Sequence, residues 1–280
     1  MYCGGVNACH RRINSRKGDL RPGEGCGSKM SIPKLLGILG GLGPMSSAYL
    51  YEYITAHTKV SSDQEHIDII LSSRSSTPDR TAFITGESGE SPLPVMIEDA
   101  RRLEKYGAEA IIIACNTAHY FIDEVRASVN VPVPSIIHET ADLARALGHR
   151  RIGIMATRGT VGARSYQREL EEMGMEWTLP SERSQKILGE LIYDSVKAGK
   201  DVDTDRFYSV VGELEGNGAD AMILGCTELS VINRSLEHDP RLVDSTEALA
   251  YYAIGLCGKT PTGFPSEFSI WKPEYEKRCP

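Results

Sequence analysis

The chain has 280 residues, 41% of them hydrophobic and 25% charged, the composition of an ordinary globular protein large enough to bury a sizeable core in one large domain or two small ones. No apolar run nears the roughly 20 residues of a membrane-spanning helix, which argues against a membrane role. A net charge of −7 leaves no overall basic surface to bind nucleic-acid phosphates, so the expected partner is a small molecule.

Residues 1–33 stand apart in composition. Gly4, Gly5, Gly18, Gly23, Gly25 and Gly27 interrupt a basic stretch with no helical or strand period, and the segment reads as a disordered extension. Six glycines and no amphipathic face oppose a transit peptide, and no apolar h-region supports secretion; a true start at Met30 is an equal reading. The cysteines (Cys3, Cys9, Cys26, Cys115, Cys226, Cys257, Cys279) are odd in number, as in a reduced, cytoplasmic protein. Cys3, Cys9, His10 and Cys26 lack zinc-ligand spacing, so no metal is expected.

From Pro33 onward, short apolar runs alternate with helix-length amphipathic ones, the pattern of an α/β fold with parallel strands. The spacing predicts strands over 34–39, 67–71, 109–114, 133–137, 151–156, 175–179, 221–224 and 242–243. Helical faces carry Met96, Ile97, Ala100 and Leu103 up to Gly107, then Ile187, Leu188, Leu191, Ile192 and Val196 up to Gly199. A third carries Phe207, Val210, Val211 and Leu214 up to Asn217-Gly218. After a last helix over about 245–258, the Pro-rich tail 259–280 reads as wrapping the surface or disordered, with Trp271 and Tyr275 as anchors.

The chain also repeats. Tyr106-Gly-Ala-Glu-Ala-Ile-Ile-Ile-Ala-Cys115-Asn-Thr matches Asn217-Gly-Ala-Asp-Ala-Met-Ile-Leu-Gly-Cys226-Thr-Glu at an offset of 111, and Gly37-Ile-Leu matches Gly153-Ile-Met at 116. Two half-domains follow, 34–140 (with helix 245–258 packed on it) and 141–244. Each is expected to be a four-stranded parallel sheet flanked by helices, with the active site in the cleft between them.

Alone, either cysteine is best read as packing, because Cys is among the most buried residue types. As a repeated pair at strand ends, each before a helix start that would favour thiolate, they suit proton transfer on opposite faces of one carbon. Racemisation, with an equilibrium constant of one by symmetry, is the matching reaction. The Gly37–Gly43 turn lacks the third glycine of a dinucleotide fingerprint and instead lets backbone approach the site. His119, His138 and Glu139 read as capping and loop-bonding groups.

Six ordered segments, Gly37-Ile-Leu-Gly-Gly-Leu-Gly-Pro44, Asp63-Gln-Glu-His66, Thr77-Pro-Asp-Arg-Thr81, Ala114-Cys-Asn-Thr-Ala-His-Tyr120, Val196-Lys-Ala-Gly199 and Gly225-Cys-Thr-Glu228, together resemble the aspartate/glutamate racemase family, in its aspartate racemase branch. The resemblance spans about residues 34–258. It implies a PLP-independent racemase of an acidic amino acid, built from two pseudo-symmetric flavodoxin-like halves, without cofactor and commonly a homodimer. Cys115 and Cys226 match the family's acid/base cysteines, and Arg80 and Lys197 its holders of the side-chain carboxylate. Asn116, Thr117, Thr160 and Thr227 match positions near the α-carboxylate and ammonium.

Two features depart from the family pattern. The stretch Ser72–Thr77 lacks the usual asparagine and proline, and Arg74 and Arg158 are extra cations that sit on the surface or alter substrate preference. Glycine at 40 and 41 and Glu228 after Cys-Thr favour aspartate over glutamate. The alternatives are a racemase of glutamate or another acidic amino acid, a hydantoin racemase, maleate isomerase or arylmalonate decarboxylase, or a non-catalytic amino-acid binding protein.

Overall fold

A computed structural model describes residues 32–273 and Tyr275. The readings placed on residues 1–31 and on the end of the tail, including Cys3, Cys9, His10, Cys26, Met30 and Cys279, lie outside the described residues.

In chain order the first half contains β1 (Leu35–Gly40), α1 (Pro44–Ala56), β2 (Asp68–Ser73), α2 (Arg80–Ile84), α3 (Leu93–Lys105), β3 (Ala110–Ile113), a 3-10 turn over Thr117–Phe121, α4 (Ile122–Ala127) and α5 (Ile136–Ala146). The second contains β4 (Arg151–Ala156), α6 (Arg158–Gly162), α7 (Ser165–Glu172), β5 (Glu176–Thr178), α8 (Glu182–Gly189), a π-helical segment Glu190–Val196, α9 (Thr204–Gly216), β6 (Ala221–Gly225), α10 (Thr227–Asn233), β7 (Leu242–Asp244) and α11 (Ser245–Leu256). The sheets run β2-β1-β3 and β5-β4-β6-β7, parallel throughout. This is the expected two-sheet α/β fold.

The internal repeat survives as register. Leu36 pairs with Ala110 and Ile152 with Ala221, the same two positions displaced by 116 and 111. Gly37 and Gly153 are equivalent too. A Cβ on Gly37 would press on Ala108 and Leu103, and one on Gly153 on Leu214, so each glycine lets a helix, α3 or α9, lie close on its sheet.

The strand expected over 133–137 does not form. Pro132 accepts a backbone hydrogen bond from Ile111, but neither Pro132 nor Pro134 has an N–H to answer β3, and Ser135 caps α5 by accepting from the N–H of His138. The first sheet therefore has three strands among the described residues, with an extended segment beside its edge. The helix expected from 187 to 199 also divides: α8 gives way to π geometry, and the Lys197 N–H reaches back five residues to the Ile192 carbonyl.

Alternation along the strands divides the core. Ile111 and Ile113 face α3, Met222 and Leu224 face α9, while Ala110, Ile112, Ala221 and Ile223 join a shared core with α1, α5, α7 and α11. Residues 260–273 lie across this core. Trp271 is buried and donates from Nε1 to Asp142, and Tyr251 packs its ring against Phe264, Phe268 and Trp271.

An acidic pair, buried Asp244 and half-buried Glu247, sits where β7 meets α11. Asp244 accepts from Ser230 and Asn233 and from the N–H of Thr246, and burial next to Asp244 pushes the Glu247 carboxyl up to about 8. A carboxyl that binds its proton more tightly folded than unfolded stabilises the fold fully below its unfolded pKa. That contribution is lost as pH rises through about 8. Glu247→Gln is expected to flatten the fall in Tm between pH 5 and 9 and to raise Tm at the alkaline end, as read by thermal denaturation across that range.

Candidate active site

Cys115 lies two residues past β3, and Cys226 directly follows β6 as the N-cap of α10. Both are nearly buried, 8% and 5% exposed, and both line one enclosed pocket of about 10 Å³ between the two halves. Its other walls are Leu42, Asp79, Arg80, Thr81, Thr117, Thr157, Tyr193, Lys197 and Glu228. Thus Cys115, Cys226, Arg80, Lys197 and Thr117, five of the eight residues singled out from sequence, meet at one point.

Arg80 opens α2 directly after its cap Asp79, and is buried. Its guanidinium donates to the carbonyls of Leu42, Pro78 and Thr77, while Nε has no hydrogen-bond partner. No carboxylate lies within ion-pair distance of it among the described residues. A buried cation with a free donor and no counter-ion favours an incoming anion. Lys197 extends from the π segment, its Nζ 3.8 Å from Glu228 Oε1 and 4.7 Å from the centre of the Tyr193 ring. Burial pulls the pKa of this ammonium down, but the opposing interactions, led by the Glu228 carboxylate, outweigh burial and the net shift is upward, so Lys197 stays charged. The i→i−5 turn brings Tyr193 and Lys197 to the same pocket, a common use of π geometry.

Three threonine hydroxyls close the floor. Thr117 Oγ1 lies 2.9 Å from Thr157 and 3.0 Å from Thr160, which are 3.1 Å from each other, joining the end of β3 to the start of α6. Above them the Tyr193 hydroxyl donates to Thr81, another bond between the halves.

The remaining expected residues support this pocket rather than line it. Asn116 is engaged at both ends of its amide, donating to Ser245 and accepting from Tyr166 at 2.6 Å. Thr160 belongs to the threonine triangle, and Thr227 donates to Glu228. Arg74 is held by Glu98 and Asp99, and Arg158 by Glu87, so neither extra cation enters the site. His119 is structural. Its Nε2 accepts from the Ile136 N–H, its Nδ1–H donates to the Cys115 carbonyl at 2.8 Å, and burial pushes its pKa down to about 4. No group of three or more His, Cys, Asp or Glu among the described residues is placed to hold a metal.

A helix start favours thiolate, but at Cys226 other influences oppose it: burial pushes the thiol well up and the adjacent Glu228 adds to the shift. The 3.0 Å contact from Sγ to the Glu228 carboxylate favours the thiol in the same direction. Glu228, which the sequence marks only as a sign of aspartate over glutamate, is the neighbour of Cys226. Its position was visible as the repeat partner of Thr117, but its contact with the Cys226 sulfur was not.

Comparison with known proteins agrees with this architecture. The sequence profile of the Asp/Glu/Hydantoin racemase family matches residues 39–253. A solved aspartate racemase from Picrophilus torridus superposes with a TM-score of 0.71 at 27% identity, covering 85% of this chain and 99% of that one. The broad specificity amino-acid racemase RacX of Bacillus subtilis is 26% identical over 77% of this chain and 95% of its own length. A glutamate racemase from Persephonella marina is 30% identical over 59% of this chain and 65% of its length.

Proposed function

The chain belongs to the Asp/Glu/Hydantoin racemase family, and on that premise we propose that it interconverts the enantiomers of a small acidic amino acid, aspartate foremost, with two cysteines as its acid and base and no cofactor. The observation that carries this reading is the convergence of both repeated cysteines with Arg80 and Lys197 on one enclosed pocket. One cysteine, as thiolate, removes the Cα proton while the other, as thiol, delivers a proton to the opposite face. The roles are then exchanged, and the reverse reaction is the same chemistry read backwards.

Arg80 and Lys197 hold the side-chain carboxylate: Arg80 offers its free Nε and Lys197 a compact charge. Thr117 and the backbone beyond each cysteine meet the amino-acid end, and Asn116, Thr160 and Thr227 hold that backbone in place. The Cα proton of an amino acid is weakly acidic, so exclusion of water and fixed donors must stabilise the developing carbanion. A pocket of about 10 Å³ excludes bulk water. Substrate must therefore part the two halves on entry, and the recess of about 250 Å³ beside it, lined by Gly41, Arg80, Lys197 and Glu228, is the approach that presents both cations. A cytoplasmic homodimer belongs to the same proposal.

The test is proton NMR of L- and D-aspartate, then of glutamate, incubated with the full chain in D₂O without added pyridoxal phosphate or metal. Loss of the Cα–H signal together with optical activity is expected, fastest for aspartate. Exchange of neither acid would reject the racemase reading, and faster exchange of glutamate would reverse the substrate ranking.

A further inference from the structure

The two cysteines are related by the repeat, but their surroundings are not equivalent. The repeat places Thr117 and Glu228 at matching positions, each two residues past its cysteine. Thr117 turns its hydroxyl to Thr157 and Thr160 and brings no charge to Cys115. Glu228 instead accepts from the Cys226 thiol, Sγ to Oε2 3.0 Å, and from Thr227 at 3.3 Å. Its second oxygen, Oε1, is buried without a hydrogen-bond partner and stands 3.8 Å from Lys197. The groups facing this thiol and carboxylate are Lys197 and Tyr193 from the π segment, Asp79 and Arg80 from the start of α2, and Cys115 from the end of β3.

Resting on the racemase reading above, we propose that Glu228 is a positioning residue that makes the ligand-free enzyme asymmetric, holding Cys226 as the loaded proton donor with its S–H aimed by the carboxylate. Burial works in the same direction at this thiol. The resting protein is then ready for the enantiomer whose proton Cys115 removes. When Cys226 has given its proton to Cα it becomes a thiolate facing a carboxylate, and that repulsion draws a proton back to sulfur after product leaves. The excess proton on Cys115 balances the one that Cys226 lost. Lys197 tempers the repulsion, keeping the thiolate accessible long enough for the opposite reaction.

Gly43 is part of this arrangement. Its backbone is extended, a conformation open to any residue, but a Cβ there would overlap Glu228 Oε1. Because that atom is the free end of a flexible side chain, alanine at this position displaces the carboxylate without breaking the fold. Two independent variants thus address one contact, one chemically and one sterically.

The experiment titrates the Cys226 thiol by ultraviolet thiolate absorbance in the full chain, in the parent, in Glu228→Gln and in Gly43→Ala. Each is read against the same protein carrying Cys226→Ser, so that the other six cysteines cancel. Glu228→Gln is expected to lower the Cys226 midpoint by about one pH unit or more, a tenfold weakening of proton affinity. Gly43→Ala is expected to shift it in the same direction by less. An unchanged or higher midpoint in Glu228→Gln would overturn the proposal, as would a shift in that variant that Gly43→Ala does not share in sign. A second readout is the pH profile of kcat for aspartate, whose basic limb should move to lower pH in Glu228→Gln. The titration needs no turnover, so a shifted midpoint in a protein that exchanges no amino acid would keep the Glu228 contact and reject the racemase reading instead.

Discussion

Cys115→Ala and Cys226→Ala are each expected to lower racemisation of aspartate by about 10²–10⁴-fold or more, the range of a lost acid or base, while leaving the fold intact. Both side chains are buried but small, and the one side-chain bond lost is that of the Cys226 thiol to Glu228, so the thermal transition should stay near that of the parent. The informative result is the residual exchange. With Cys226 removed, Cys115 can still take a proton from one face and return deuterium to that face, so one enantiomer loses its Cα–H signal with its configuration retained. Cys115→Ala should show the mirror pattern, exchanging only the other enantiomer. The equilibrium constant is one, so kcat/KM must be equal in the two directions for every variant, and asymmetry can appear only in kcat, in KM or in this exchange. A single variant that racemises within tenfold of the parent would remove the two-thiol mechanism. Exchange of both enantiomers by one variant would show that the surviving thiol reaches both faces.

Much of this site is legible in the sequence because the chain announces it twice. The repeat around Cys115 and Cys226 predicts two strands ending at one cleft, and the matched registers Leu36 with Ala110 and Ile152 with Ala221 carry that repeat into the sheets. What stayed hidden arises from contacts between segments with no shared pattern. The 133–137 segment has strand-like Val133, Ile136 and Ile137, yet Pro132, Pro134 and the Ser135 cap decide its conformation locally. The π segment cannot be read from apolar spacing, since Leu191, Ile192 and Val196 fit an α-helical face equally well. Asn116 sits beside a catalytic-looking cysteine in sequence but is claimed in space by Ser245 and Tyr166, residues 129 and 50 positions away. Glu228 reads in sequence as a mark of substrate preference at a helix start where acids are common, and its place beside Cys226 shows only in the 3.0 Å approach of that sulfur.

Arg80 is expected to govern recognition of the acidic side chain more strongly than Lys197, and the reason is what each already holds. Lys197 faces Glu228 and the Tyr193 ring, so part of its charge is spent before substrate arrives. Arg80 has only neutral carbonyls for partners and an orphaned Nε. Losing a charge-assisted contact is worth about 1.5–3 kcal/mol, so Arg80→Ala should lower kcat/KM for aspartate by roughly 10–150-fold, chiefly through KM. Arg80→Lys keeps the charge but loses the planar fork that also braces Leu42 and Pro78, and should recover only part of the loss. Lys197→Met should cost less than Arg80→Ala. Truncating a buried arginine also leaves backbone carbonyls unpaired, so stability falls as well, and a readout blind to that effect is needed. Asparagine supplies it, being nearly the same shape as aspartate without the charge. If Arg80 binds the carboxylate, Arg80→Ala should collapse the preference for aspartate over asparagine, measured as the ratio of their Cα–H exchange rates. If the variant instead slows both substrates equally and the ratio stays at the parent value, Arg80 only braces the loop and the carboxylate is held elsewhere.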